Sequence, residues 1–209
     1  MSDPVYPYKK EGDRYVIEIK LQNVMQLFET LDPSPFFEKD LDRDAEKYIT
    51  DTVEEFPLAV PLRLVVYLPE REIARAETLD IRAAIHNHFV YRSEGAAREL
   101  RQKFARGRRT LVIGLAFLLL SLSVNLALSA LPETVVTSLV RQGLVIIGWV
   151  AMWEPVNIFL YGWWPIRQQE KIYQKIGDME VVVRPYSETD VLPVLPLQYS
   201  QTRSWEVRQ

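Results

Sequence analysis

From Tyr15 to Leu21 the residues "YVIEIKL" alternate, placing Tyr15, Ile17, Ile19 and Leu21 on one face and Val16, Glu18 and Lys20 on the other. A period of two predicts a half-buried strand. "LRLVVYL" from Leu62 and "MEVVVRP" from Met179 predict two more. Between the first two strands the period lengthens. "DRDAEKYITDTVEEF" carries Ala45, Tyr48, Ile49, Thr52, Val53 and Phe56 at helical spacing, which predicts an amphipathic helix laid over a sheet. These pieces make a small α+β layer with a three-stranded sheet. Because its third strand follows the most apolar part of the chain, that part is expected to be an insertion into the layer.

From Ile81 the apolar residues Ile81, Ile85 and Phe89, then Leu100 and Phe104, recur every fourth position. They predict a helix running on into the uncharged stretch "TLVIGLAFLLLSLSVNLALSAL", Thr110 to Leu131, with Gly95 and Gly107 as its bends. Twenty-two residues at about 1.5 Å each cover a hydrocarbon core of roughly 30 Å, so the stretch predicts a transmembrane helix. Its polar members, Ser121 and Asn125 among them, suit helix packing better than a transport path.

A second apolar run follows Pro132-Glu133, and two registers compete for it. A span over 143–163 buries Glu154 near mid-bilayer, at about 3 kcal/mol. A span over 134–153 leaves Glu154 at the headgroups and instead sinks Arg141 about two turns below the opposite surface. Arginine's long stem can carry its charge back to the interface, which favours the second register. Pro155 agrees, since it suits a helix break or a helix start with Glu154 in the dipole-favoured first turn. The segment 155–166, with Asn157, would then lie along the interface, and Trp153, Trp163 and Trp164 would sit in an aromatic belt.

Charge is distributed unevenly, which a net of −3 and a mean hydropathy of −0.08 conceal. Residues 1–90 hold eleven Lys/Arg against eighteen Asp/Glu, whereas residues 91–110 hold seven against two. Arg98, Arg101, Lys103, Arg106, Arg108 and Arg109 precede the first span, and Arg167, Lys171 and Lys175 follow the second, while the connecting turn offers only Arg141. By the positive-inside rule both termini face the cytoplasm. The same collar predicts contact with anionic lipid headgroups. Nucleic acid is not expected as a partner, because the collar must lie against lipid and the body is acidic.

The expected organisation is therefore a cytoplasmic α+β domain with a juxtamembrane basic helix over 1–109 and a transmembrane hairpin (110–131 and 134–153) with its interfacial segment over 110–166. A helix and strand over 167–184 complete the domain, and a Pro-rich tail over 185–209 reads as an extended arm or a loosely packed terminus.

Little in the chain points to chemistry. There is no cysteine, which removes thiolate metal sites and cysteine nucleophiles. The start of the chain lacks the apolar region of a secretory signal. His86 and His88 would project about 200° apart on a helix and cannot share a metal, so a surface or boundary role is expected. Asp40, Asp42 and Asp44 imitate a calcium loop, yet Ala45 and Asp51 occupy positions wanting glycine and glutamate, so they read as first-turn helix carboxylates. "DPSPFF" at Asp32 reads as a rigid turn, and no glycine-rich phosphate loop appears. No cofactor, metal or catalytic residue is assigned, and an enzyme is not expected.

"QLFETLDPSPFFEKDLDRDAEKYI", "LRLVVYLPE", "ARGRRTLVIGLAFLLL" and above all "GWVAMWEPVNIFLYGWWPIR" resemble a family of uncharacterised bacterial two-span membrane proteins, through the pattern GWVAxW…P…FLYxWWPI from Gly148 to Ile166. The resemblance would span nearly the whole chain. It implies a bacterial cytoplasmic (inner) membrane and no particular activity. The function expected is a non-enzymatic membrane accessory or scaffold protein that binds a protein partner or self-associates. Two alternatives stay open: a small channel or transporter subunit using Glu154 in an oligomer, or an interfacial enzyme acting on a lipid-like substrate.

Overall fold

Four strands build the sheet, in the spatial order β1 (Lys10–Glu11), β2 (Arg14–Lys20), β3 (Leu62–Pro69) and β4 (Glu180–Tyr186). These come from a computed structural model that describes residues 6–28 and 40–187. The three-stranded sheet expected from the sequence is thus corrected to four. The extra strand, β1, is two residues long, too short to carry a period. It exists because Gly12, at φ +65°, turns the chain back so that Lys10 pairs with Tyr15 and Glu11 with Arg14, antiparallel. The turn at Asp32 and the tail beyond residue 187 lie outside the described residues.

β2 and β3 pair in parallel, from Tyr15 with Leu62 to Lys20 with Tyr67, and β3 pairs in parallel with β4, from Arg63 with Glu180 to Pro69 with Tyr186. Parallel neighbours require crossovers. Helix α1 (Arg43–Glu54) lies in the first crossover, whereas the second contains everything from α2 (Glu70–Thr78) through α3 (Ile81–Leu128), α4 (Val135–Ala151), α5 (Trp153–Asn157) and α6 (Trp164–Gly177). The apolar hairpin is therefore an insertion within a strand-to-strand connection.

The chain divides into two compact units. One comprises the residues up to Ser93 with those from Lys171 onward, and the other comprises Glu94–Glu170. In the first, the central strand β3 is buried on both faces, with Leu64, Val65, Val66 and Leu68 fully enclosed, as a parallel strand with neighbours on each side should be. Ala45, Ile49 and Val53 of α1, Ile81, Ile85 and Phe89 of α3, and Ile172 and Ile176 of α6 fill the same core. Each large side chain buried this way contributes about 1.5–3 kcal/mol. Asp42 caps α1, its side chain accepting from the Asp44 amide at 3.0 Å, and Asp44 and Glu46 occupy the first turn. Asp80, at φ 42°, joins α2 to α3, and its Oδ1 accepts from the Ala83 amide at 3.2 Å.

The second unit is helical apart from the connection over 129–134 and the turn residues Met152 and Trp163. α3 is a single helix of 48 residues that continues through Gly95 and Gly107, so neither glycine ends it. Thr134 caps α4 through a reciprocal pair with Thr137. The expected break at Pro155 is also gentler than a break. Met152, at φ −85° and ψ −9°, separates α4 from α5, and a π-helical turn (Ile158–Gly162) leads on to α6. Pro155 is third in α5, where its missing N–H has no intrahelical acceptor to lose.

Candidate functional site

The second unit presents α3 and α4 as an antiparallel helical pair held by glycines. A Cβ on Gly114 would stand 2.8 Å from the Ala151 carbonyl oxygen, and one on Gly148 would stand 2.9 Å from Leu118 and 3.3 Å from Ser121. Only hydrogen fits there, so the backbones meet closely, in the manner of small-residue contacts between membrane helices. The contact continues at Gly107, where a Cβ would stand 2.8 Å from Ile158 and 3.3 Å from Phe159, and at Gly162, where one would stand 3.1 Å from Lys103. Gly107 serves close approach. The period of the sequence alone could not separate this role from that of a bend, because both need the same residue.

The two polar residues read as packing groups both lie at this contact. Ser121 is 3 % exposed, and Asn125 donates its Nδ2 to the Arg141 carbonyl at 2.8 Å, across the pair. In apolar surroundings such a bond has no water to compete with it.

Glu154, in the first turn of α5, is 55 % exposed, and its Oε1 lies 4.0 Å from Nη2 of Arg106. It therefore stands beside the basic collar of α3. Pro155 is buried and Asn157 exposed. Trp153 and Trp164 are 75 % and 65 % exposed, while Trp163 donates its indole N–H to the Phe159 carbonyl at 2.9 Å and faces Phe104. Around them Arg98, Arg101, Arg106, Arg108, Arg109 and Arg167 are exposed and Lys103 is partly covered. Arg98 pairs with Glu94 at 3.4 Å and Arg167 with Glu170 at 3.3 Å. Lys171 is exposed and belongs to the other unit. Exposed cations and exposed tryptophans are the residue types that suit a lipid–water boundary. They offer no nucleophile or acid–base pair.

In the first unit the structure assembles charges that the sequence left scattered. Arg184 of β4 forks onto Glu11 of β1, Nη1 to Oε1 at 2.7 Å and Nη2 to Oε2 at 2.8 Å. Arg63 of β3 reaches Glu11 at 3.3 Å and Glu180 at 2.8 Å, and Arg14 of β2 also pairs with Glu180. The paired bonds from Arg184, opposed by desolvation, pull the Glu11 carboxyl from the usual 4.5 to about 2, and the same bonds push Arg184 up. No periodic signal could have found this group, because its members are 173 positions apart and meet only through the sheet register.

His86 is exposed, as expected, but His88 needs a correction. His86 bonds to the Gly177 carbonyl at 2.7 Å, at the end of α6. His88 is not at the surface but 3 % exposed, with Nδ1 accepting from the Leu41 amide at 3.3 Å and Nε2 3.3 Å from Glu46. Arg92 donates its Nε to the other oxygen of Glu46 at 2.7 Å. Burial works to raise the Glu46 carboxyl, but the bonds and charges of His88 and Arg92 outweigh it and leave it below the usual range. This is a satisfied polar cluster locking α1 to α3. Among the described residues no group of three or more His, Asp or Glu is arranged to hold a metal.

Compared with models of protein families, with curated proteins and with solved structures, the chain gives no match.

Proposed function

We propose that this protein is an integral membrane anchor of two spans whose sheet domain serves as an accessory or scaffold surface for a protein partner or a second copy. One observation carries the reading. Two helices are long and apolar enough to cross a membrane, with mean hydropathies of 2.5 and 1.7 in their most apolar windows, yet only 11 % and 6 % of those windows are buried. A core helix of a water-soluble protein would be covered. Here Val112, Ile113, Leu120, Leu126, Val136, Trp149 and Val150 are all more than half exposed, far beyond the apolar patch a soluble monomer tolerates. Lipid is the solvent that suits such a surface.

The collar supports an orientation with both termini on the cytoplasmic side of a bacterial inner membrane, by the positive-inside rule. The pairing of Glu154 with Arg106 supports the register in which that carboxylate lies at the headgroups and the span ends before it. The collar arginines and Lys103 then hold anionic lipid, joined by Arg167 and Lys171, while Trp153, Trp163 and Trp164 anchor the boundary. The scaffold role rests on a sheet domain that, among the described residues, presents ion pairs and packing without a reactive constellation.

The test is recovery from gently solubilised membranes. A stoichiometric partner or a homo-oligomer is the expected result, and a monomeric, partner-free protein would remove the scaffold role. Protease protection that places either end of the chain outside the cell would remove the orientation.

A further inference from the structure

Near the connecting turn of the hairpin, Asn125, Ser138, Arg141, Gln142, Val145 and Ile146 line a cavity of about 460 Å³. Arg141 is the seventh residue of α4, so about 9 Å of helix separates it from Val135. That depth lies inside the apolar length of the helix, where a cation without an anion is costly. The Nε of Arg141 is shut away from solvent and has no hydrogen-bond partner. The nearest carboxylate, Glu133, stands 3.8 Å from Nη1 and is itself 91 % exposed, too far for a hydrogen bond. The neighbouring amides are committed elsewhere, Asn125 to the Arg141 carbonyl at 2.8 Å and Gln142 loosely to Ser138 at 3.4 Å. The guanidinium therefore lines a cavity whose lining also includes the aliphatic Val145 and Ile146, one turn further along the same helix.

We propose that this cavity takes the phosphate of a glycerophospholipid from the leaflet opposite the basic collar, with the Arg141 fork on the phosphate and an acyl chain along Val145 and Ile146. A planar guanidinium matches phosphate oxygens two at a time, and in an apolar setting that match strengthens. Inorganic phosphate would satisfy the arginine but leave the aliphatic lining empty. A second copy would have to bring its own anion to this depth, and the spans offer none. The proposal rests on the membrane reading, whose own failure is visible separately as protein that does not float with vesicles.

The experiment uses the full chain with Arg106, Arg108 and Arg109 changed to Gln, so that lipid held by the collar does not mask the site. Native mass spectrometry from detergent then counts bound phosphatidylglycerol, diacylglycerol with the same chains, and inorganic phosphate. One tightly held phosphatidylglycerol is expected, with Arg141→Gln weakening it about tenfold and Arg141→Lys restoring only part. Helical content by circular dichroism should be equal in all three proteins. Equal phosphatidylglycerol retention in Arg141→Gln would overturn the proposal. So would equal retention of diacylglycerol, displacement by inorganic phosphate alone, or a dimer that Arg141→Gln dissolves without changing the lipid count.

Discussion

Gly114 and Gly143 lie on facing helices and carry opposite expectations. A methyl at Gly114 meets a backbone oxygen at 2.8 Å, whereas one at Gly143 meets nothing within 4 Å. Gly114→Ala should therefore loosen the hairpin, costing about 1–3 kcal/mol of overpacking, while Gly143→Ala should be neutral or stabilise by up to about 1 kcal/mol through helix propensity. Unfolding in detergent followed by circular dichroism separates the two. At His88 the loss is of partners. His88→Ala strands the Leu41 amide and one oxygen of Glu46 in a buried setting, an expected cost of about 1–3 kcal/mol in the thermal unfolding of the sheet unit. Glu11 and Glu46 also give the protein an acid-sensitive margin. Both carboxyls are held below their free values in the fold, so the stability they contribute is complete above about pH 4.5 and disappears as the pH falls through the lowered values, near 2 for Glu11. Glu11→Gln should lower the melting temperature at pH 6 and flatten its decline between pH 4.5 and 2. A decline unchanged by that substitution would mean that Arg184 does not hold Glu11 in solution.

Among the elements, the apolar stretches and the helix of period four from Ile81 were legible because each signal is local and long. Ile81, Ile85, Phe89 and Leu100 all prove buried along α3. The helix from Glu70 to Thr78 was not read from the sequence, since it is short and only Ala76 is buried on it. β1 was not legible for a similar reason, being defined by its partner instead of by a pattern of its own. Under the proposed membrane reading, the segment after α4 decides where the second span ends. Cysteines placed one at a time from Met152 to Asn157, in this cysteine-free chain, should react with an impermeant thiol reagent at position 154 from the collar side. Protection at 154 would instead put the carboxylate in hydrocarbon, and the longer register would replace the shorter one.

For the molecule as a whole, the connection between β3 and β4 is the structural fact with most reach. β4 begins at Glu180, beyond both apolar helices, yet it covers one flank of the central strand. A chain stopped at Arg109 should therefore fail to form a protease-resistant sheet unit, although it contains three of the four strands. Supplying residues 164–187 in trans should recover part of the resistance, and full resistance without them would show that β4 is dispensable. What the sequence determined by itself was the pair of long apolar helices, the basic collar and the period-two strands, because each is written in contiguous residues that share one kind of surroundings. Tertiary structure alone decided the fourth strand, the union of Glu11 with Arg184, the burial of His88 and the use of Gly107 for close contact. In each of these, the outcome depends on which distant segment arrives alongside, and that follows from strand register and helix approach.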